Sequence, residues 1–252
     1  MKNVVICVLL SLAYWLGGCA SVGCKEGMIA RYTAEPVIVD GRLDDAAWRQ
    51  AAVYRMHLSR DRQAEGQVLR DGAKVQVAWD DNYFYLGVHF TDSDIAATGE
   101  KDQLHHYLLG DVCELFLKPA RQENYLELYV TPRSKKTSFF IPQVNKTRKG
   151  PGSLEDYDCG LAVAAHVVEG TLNQRDDKDG SWSAEMAMPV KDLERLGEKV
   201  AAGAVWRILI SRYNYSHFFG PADDQIEYSM TPALSTTSYH LVDEYAPLHF
   251  LK

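Results

Sequence analysis

Most of this chain consists of short segments in which apolar and polar residues alternate, and polar turns separate one segment from the next. Such alternation places one face of a strand in a core and the other towards solvent. Helical patterns are confined to 44–51, 190–196 and a turn near 101–108. The sequence therefore predicts an all-β protein, an antiparallel β-sandwich with one or two short helices. The alternating segments are 74–80, 83–90, 111–119, 124–132, 136–142, 161–168, 181–189, 204–215 and 248–251.

The stretch "VIVDGRLDDAAW" at 37–48 combines signals for a strand, a turn and a helical turn. Residues 37–39 are β-branched and favour a strand, and the Asp-Gly pair that follows favours a turn. Asp44 can cap a short helix that carries Trp48 on one side. We therefore expect Trp48 to fill the core beside a first strand.

The first 18 residues have the pattern of an export signal. Lys2 supplies a positive charge, and the apolar stretch at 4–16 is short for a membrane span. The stretch ends in Leu-Gly-Gly-Cys, which resembles the bacterial lipoprotein cleavage site and implies lipid attachment to Cys19. Ala20 follows, and by the sorting rule of Gram-negative bacteria it implies the outer membrane. An ordinary secretion signal or an N-terminal anchor helix is the alternative.

This interpretation divides the chain into a signal peptide at 1–18, a lipid-anchored tether at 19–30 and one β domain at 31–252. The segment 143–158 is expected to be an exposed loop. Without Lys2, 26 basic and 34 acidic residues give the exported chain a net charge of −8. A protein with this charge lacks the basic field that gathers phosphates, so we expect no nucleic-acid partner.

The cysteines that remain after export show no disulfide framework. Besides Cys19 they are Cys24, Cys113 and Cys159, an odd number without the spacing of metal ligands. Cys113 lies in an apolar strand and is expected to behave as a small core residue. A bridge between Cys113 and Cys159 stays open, because pairing cannot be read from a sequence.

Five motifs follow one another along the chain: "VIVDGRLDDAAW", "VAWDDNYFYLGVHF", "DVCELFLKP" with "NYLELYV", "HVVEGTLN" with "DGSWSAEMAMP", and "VWRILISRYNY". Their order resembles the pattern of carbohydrate-binding module family 9, and its exported bacterial variants in particular. The resemblance covers nearly all of 35–251. It implies a β-sandwich of the DOMON-like type that binds an oligosaccharide or polysaccharide, has no catalytic activity, and in many members holds calcium in a structural role.

Two charged residues match sugar-binding positions of that family. Glu114 matches a glutamate that accepts bonds from sugar hydroxyls, and Arg212 matches an arginine at the end of the family's long strand. By strand alternation Glu114 faces the same way as Val112 and Phe116, and a charge on an apolar face needs a partner or water. Glu114 and Arg212 could pair with each other, or line one site together.

Three further residues are candidates for sugar binding, and the aromatic rings that clamp the sugar in the family differ in this chain. Tyr213 and Asn214 follow Arg212, and Tyr107 is the one aromatic residue near the first expected clamp. The family places tryptophans there and near the segment 228–230, whereas this chain has none at either place. Tyr107, Phe218, Phe219 and Tyr239 are candidate substitutes. The four tryptophans after the signal are expected at framework positions, namely Trp48, Trp79, Trp182 and Trp206.

Other patterns point to metals or to a different function. The run "RDDKDG" at 175–180 resembles part of a calcium loop, but its first acidic position is an arginine. His105 and His106 are adjacent and lack a placed third ligand. Met230, with His217 or His240, could instead hold haem, as in electron-transfer relatives of this fold group. Since the ring clamp is missing, a surface lipoprotein that binds an envelope protein partner is the remaining alternative.

Overall fold

The computed structural model describes residues 27–143, 157–221 and 225–252. The predicted signal peptide at 1–18, the predicted lipidation site Cys19, most of the predicted tether and most of the loop expected at 143–158 lie outside the described residues. Within the described ranges, no helix combines the length and the apolar character that a membrane crossing requires.

The described residues form twelve strands, and nine of them lie where alternation predicts them, which confirms the all-β prediction. β1 begins three residues before the predicted domain start at 31, and β1, β2 and β11 were missed. The strands are β1 (Met28–Tyr32), β2 (Tyr54–Arg55), β3 (Ala73–Trp79), β4 (Tyr83–Thr91), β5 (Val112–Pro119), β6 (Tyr125–Val130), β7 (Lys136–Ile141), β8 (Ala162–Glu169), β9 (Ser181–Pro189), β10 (Val205–Tyr215), β11 (Ile226–Thr231) and β12 (Ala246–Leu251).

Helices are few and short. The described α-helices are α1 (Ala46–Gln50), α2 (Arg60–Ala64) and α3 (Val190–Leu193). A 3₁₀ turn at Glu194–Leu196 extends α3 over the predicted 190–196, and another at His106–Leu108 lies in the turn expected near 101–108. α2 was missed, because its five residues are all polar or small and carry no apolar face.

The strands form one continuous sheet in the order β7-β6-β5-β10-β12-β1-β3-β4-β9-β8, with β11 beside β10 and β2 beside β3. The sheet nearly closes on itself, so its two halves enclose one large apolar core as a sandwich. β1 runs parallel to both of its neighbours, β3 and β12, whereas the other pairs are antiparallel. The sandwich is therefore antiparallel with a parallel seam at its first strand.

The four tryptophans are framework residues, as the sequence predicts. All four are at least 96% buried. Each indole N–H also has an acceptor inside the protein, as expected for a buried donor. The donations run from Trp48 to Glu185, from Trp79 to the Leu251 carbonyl, from Trp182 to Asp92 and from Trp206 to the Lys199 carbonyl.

Residues 37–51, here called the covering segment, lie across the outer face of β3, β4 and β9. The predicted strand at 37–39 is wrong, because these residues are extended without a strand partner. The helix begins at Ala46, and Asp45 rather than Asp44 precedes it. Gly41 has a φ of +84°, and a Cβ there would come within 2.6 Å of the Ala165 carbonyl carbon, so the Asp-Gly turn needs glycine.

Glu185 explains why a turn and a helical turn follow each other in the covering segment. This β9 side chain is fully buried. Its Oε2 accepts the backbone N–H groups of Asp40 at 3.0 Å and Gly41 at 2.9 Å, and its Oε1 accepts the Trp48 indole N–H at 2.7 Å. One carboxylate thus fixes both the turn and the helix to the sheet.

Cys113 and Cys159 are both buried and both free, so the bridge left open by the sequence is absent between them. Burial raises the pKa of both thiols. Cys113 lies in the central core on β5, as the core-residue alternative predicts.

Candidate functional site

A cleft of about 500 Å³ opens on the outer face of β5, β6, β10 and β11, on the opposite side of these strands from the central core. The segment after β11, from 237 to 240, forms one wall, and α2 contributes Arg62 at the rim. A second apolar cluster supports the cleft from below and includes Val112, Leu209 and Met230. The cleft is lined by Arg62, Glu114, Phe116, Glu127, Tyr129, Tyr213, Tyr228, Thr237, Ser238, Tyr239 and His240.

Two carboxylates lie on the floor of the cleft. Glu114 on β5 stands opposite Tyr129 of β6, and Glu127 stands opposite Phe116, so the two glutamates are diagonal neighbours on one face. Each is 1% exposed. The Ser211 hydroxyl donates to Oε2 of Glu114 at 2.9 Å.

Glu127 belongs to a chain of polar groups that runs along the cleft. The Tyr129 hydroxyl donates to its Oε1, and Nε2 of His240 lies 4.0 Å from its Oε2. The other imidazole nitrogen of His240, Nδ1, is 2.9 Å from the Tyr125 hydroxyl. These contacts hold the carboxylate and the imidazole in fixed positions.

Tyrosine rings form the sides of the cleft. Tyr213 is central, with its ring centroid 5.0 Å from that of Tyr228 and 5.7 Å from that of Tyr239, in edge-to-face arrangements. Tyr228 is half-buried, and burial raises its pKa, while the Arg62 charge opposes that rise. The rings therefore offer apolar faces beside the two carboxylates.

This combination suits a polyhydroxylated ligand. A carboxylate accepts two hydrogen bonds from neighbouring hydroxyls, and an aromatic face packs against C–H groups of a sugar ring. Pockets of roughly 300–1,000 Å³ hold small ligands, and this cleft falls within that range.

Arg212 and Asn214 lie on the opposite face of β10 from Glu114, so the expected pairing or shared site does not form. Arg212 stands opposite Cys113 in the sheet, whereas Ser211 stands opposite Glu114. The Arg212 guanidinium is fully buried and donates to Asp92 at 2.7 Å and to Asn214 at 2.9 Å. Both residues therefore belong to an internal polar network and do not line the cleft.

The other sequence candidates are divided between the cleft and its surroundings. Tyr213 and Tyr239 line it. Tyr107 stands beside it on a 3₁₀ turn, with its ring 5.7 Å from that of Tyr213. Phe218 and Phe219 lie on another 3₁₀ turn and are not among the lining residues.

Sequence reasoning missed Glu127, Tyr228 and His240. Glu127 shows the same signal as Glu114, a charged residue on an alternating strand between aromatic neighbours, and could have been found that way. Tyr228 lies in the segment where the family places its second tryptophan. No local pattern marks His240, because it reaches the cleft through a loop.

Neither metal nor haem fits the described residues that the sequence suggested for them. The described ranges contain no group of three or more His, Cys, Asp or Glu side chains that could hold a metal ion. In the "RDDKDG" run, Arg175 pairs with Asp94 at 2.8 Å, and Asp179 accepts the backbone N–H groups of Ile95 and Thr171, which join the run to the segment after β4. Its carboxylates therefore serve the fold.

The three haem-ligand candidates also have partners within the protein. The Met230 sulfur is fully buried and accepts a backbone N–H at 3.4 Å. His217 bonds Asp94 at 2.7 Å through Nδ1, and His240 bonds Tyr125 at 2.9 Å. Because the Met230 sulfur is buried and bonded within the protein, Met230 does not fit an axial pair with either histidine.

The chain belongs to the carbohydrate family 9 binding domain-like family, which matches residues 39–206. This membership supports carbohydrate binding as the class of function. The matched range includes Glu114 and Glu127 but ends before the tyrosines of β10 and β11. In a comparison with curated proteins, none matched the chain.

Solved structures share the fold at low sequence identity. A Bacteroides uniformis ATCC 8492 structure, titled "putative carbohydrate-binding protein", has 12% identity and a TM-score of 0.66, covering 89% of this chain and 100% of that one. A family 9 carbohydrate-binding module from Caldicellulosiruptor kristjanssonii in complex with cellotriose has 12% identity and a TM-score of 0.56, covering 90% and 94%. The same organism's module with glucose has 12% identity and a TM-score of 0.54, covering 88% and 95%.

Proposed function

We propose that this protein binds carbohydrate in the cleft and does not catalyse a reaction. The observation that carries the proposal is the position of Glu114, a carboxylate on the cleft floor with Tyr129 on one neighbouring strand and Tyr213 on the other. The carboxylate accepts hydroxyl donors, and the rings pack on the sugar face. The cellotriose and glucose complexes of the similar family 9 modules support the same ligand class.

Binding at such an open cleft is expected to be weak. A micromolar to millimolar Kd corresponds to about 4–8 kcal/mol, which is enough to hold a multivalent polysaccharide near a cell surface. We propose that the protein captures polysaccharide for use by the cell that exports it. A protein partner in the envelope is the competing role, and it predicts no affinity for free glycans.

A glycan array followed by calorimetry tests the proposal. The full-length protein is purified in a detergent without a sugar headgroup, because a sugar detergent would compete for the cleft. We expect Glu114→Gln to weaken the best glycan at least about 10-fold, since it removes a charged acceptor. Glu35→Gln, at an exposed position outside the cleft, is the matched control and should bind normally.

Three other results would change the conclusion. Equal binding by Glu114→Gln and the unchanged protein would move the site away from this cleft. If no glycan on a broad array binds the protein, the result would favour the protein-partner role. Release of new reducing ends from a bound glycan during long incubation would contradict the non-catalytic role.

We further propose that Cys19 carries lipid and anchors the protein in the cell envelope, at the outer membrane. The support is the apolar stretch that ends in Leu-Gly-Gly-Cys. In cells fed a labelled fatty acid, the protein should become labelled and fractionate with the outer membrane. Fatty-acid labelling that persists in the Cys19→Ala variant would contradict lipid attachment at Cys19.

A further inference from the structure

A second compartment continues from the cleft past Tyr228. It has a volume of about 450 Å³ and shares Arg62, Tyr228 and Thr237 with the cleft as common walls. Its far side is formed by Val68 and Arg70 from the loop after α2 and by the first residues of β11. The two compartments are therefore adjoining parts of one groove.

The outer compartment has two cationic side chains at its wall. Arg62 and Arg70 are both exposed, and each lines the compartment. The Arg70 guanidinium is held in place by a 2.8 Å bond from Nη1 to the Phe219 carbonyl, and it lies 5.0 Å from the centre of the Phe219 ring. Its position is thus fixed before any ligand arrives.

The carboxylate in this compartment is committed to the backbone. Glu227 is the one acidic side chain among the described residues that line it. One of its oxygens accepts the Arg70 N–H at 2.8 Å and the other accepts the Asp71 N–H at 3.1 Å. Glu227 is 9% exposed, and burial raises its pKa while its two backbone N–H donors lower it.

The floor of the cleft and the wall of the outer compartment therefore differ in chemistry. Carboxylates line the cleft and suit the hydroxyl groups of a sugar. Guanidinium groups line the outer compartment, and their planar donors suit a carboxylate or sulfate group. Val68 adds an apolar surface there, since its side chain is 79% exposed.

We infer that the groove binds an acidic glycan, with a sugar held by hydroxyl contacts in the cleft and a neighbouring sugar that carries a carboxylate or sulfate beside Arg62 and Arg70. This inference rests on the proposed carbohydrate binding and narrows its ligand class. The anionic group is the common feature, whether it comes from a uronic acid or from a sulfate ester.

The test measures Kd for matched glycans that differ only in charge. The probes are neutral oligosaccharides, the corresponding oligosaccharides with a uronic acid, and the corresponding sulfated ones, each at about 25 mM and about 250 mM salt. We expect the acidic member of the best pair to bind about 10-fold tighter at low salt and to lose most of that advantage at high salt.

Variants of the two arginines test whether these residues cause the tighter binding of the acidic glycan. Arg62→Gln/Arg70→Gln should bind the acidic glycan no better than its neutral partner. Arg70→Gln alone, at a residue that lines the outer compartment and not the cleft, should lose part of the preference while it keeps its affinity for the neutral glycan. Arg31→Gln/Arg42→Gln removes the same charge from exposed positions outside the groove, and it should keep the preference. Arg62→Gln alone, which leaves the Arg70 contacts with Phe219 in place, should lose part of it.

Each outcome decides between the proposals. Neutral binding without an acidic preference, or a preference that survives the Arg62/Arg70 double variant, overturns this inference and leaves the proposed function standing. Loss of all binding in Glu114→Gln, together with loss of only the acidic preference in Arg70→Gln, supports both. If no glycan of any charge binds, both are overturned.

Discussion

Two outer faces of the sandwich each contain a buried glutamate, but the surroundings of the two glutamates differ. On the face of β3, β4 and β9, Glu185 lies under the covering segment and is bonded to three N–H groups of that segment. On the face of β5, β6 and β10, Glu114 lies on the floor of an open cleft among tyrosine rings. The two carboxylates are 0% and 1% exposed, so burial alone does not tell them apart.

The difference lies in what covers each strand face. The covering segment brings its own donors and an indole ring, and it seals Glu185 into the fold. The loop at 237–240 stands at the side of the cleft and leaves space between its residues and the strands. The same residue type is therefore sealed under a segment on one face and lines a cleft on the other.

Of the substitutions predicted here, Glu185→Ala has the largest expected effect, which is a loss of folding stability. It leaves the buried N–H groups of Gly41 and Trp48 without an acceptor, at about 1–3 kcal/mol each, and frees the partly buried Asp40 N–H, so we expect the free energy of unfolding to fall by about 4 kcal/mol. Urea denaturation measures it, with Glu35→Ala as the exposed control. A loss below about 1 kcal/mol would mean that the covering segment does not depend on this carboxylate.

Arg212→Gln tests the assignment of this residue to the interior. The substitution leaves Asp92 as a buried carboxylate without its guanidinium partner, which should cost about 3 kcal/mol of stability. At a temperature where the variant is folded, glycan affinity should stay within about 2-fold of the unchanged protein. A large affinity loss in a protein of normal stability would place Arg212 in the ligand site instead.

The pH dependence of stability should show the contribution of Glu185. Burial, the dominant cause, raises its pKa to about 7 from 4.5, against the opposing effect of its N–H donors. The folded protein therefore holds a proton that the unfolded chain has lost between pH 4.5 and 7, and this contribution falls as pH rises through that window. From pH 5 to pH 8 the fall should be about 2 kcal/mol.

Glu185→Gln is the reference for this measurement, because other buried carboxylates titrate as well. Denaturation curves of both proteins at pH 5 and pH 8 should show the smaller pH effect in the variant. Equal pH effects in the two proteins would remove Glu185 as the source.

Tyr228→Ala has the smallest expected effect of these substitutions, and it should change only glycan affinity in the cleft. Loss of one ring face from the wall shared by the two compartments should weaken the best glycan about 5-fold, or about 1 kcal/mol. Calorimetry measures it. Tyr83→Ala, at a 38% exposed tyrosine outside the cleft, is the control, and an equal loss in both would make the effect nonspecific.

Alternation predicted nine strands well because each has one face in the central core and shows that period in its own residues. It missed β1 and β2, which have only five and two residues. It also missed β11, although the sequence IEYSMT alternates apolar with polar residues and could have been found in the same way. The β-branched residues at 37–39 predicted a strand, whereas this segment covers a sheet instead. Propensity describes a residue's preference and does not say which neighbour will meet it.

For the candidate site, the sequence grouped Glu114, Arg212 and Tyr213, whereas the structure brings Glu114 and Tyr213 into one cleft and places Arg212 on the opposite strand face. Ser211 and Arg212 are adjacent residues, and a step of one residue along a strand changes the face. Both faces of β10 are largely buried, so the hydrophobic pattern does not say which face belongs to the central core. The register between β5 and β10 decides it, and these strands are far apart in the chain.

The amino-acid sequence by itself determined the sandwich, its framework tryptophans and the strand face that Glu114 shares with Val112 and Phe116, because these follow from periods of two within single strands. Only the tertiary structure decided that Glu114 would line a cleft, that Glu185 would be sealed, and that Arg62 and Arg70 would extend the groove. Those outcomes depend on loops and on pairings between distant strands, and local sequence patterns carry no information about which surface a distant segment will cover.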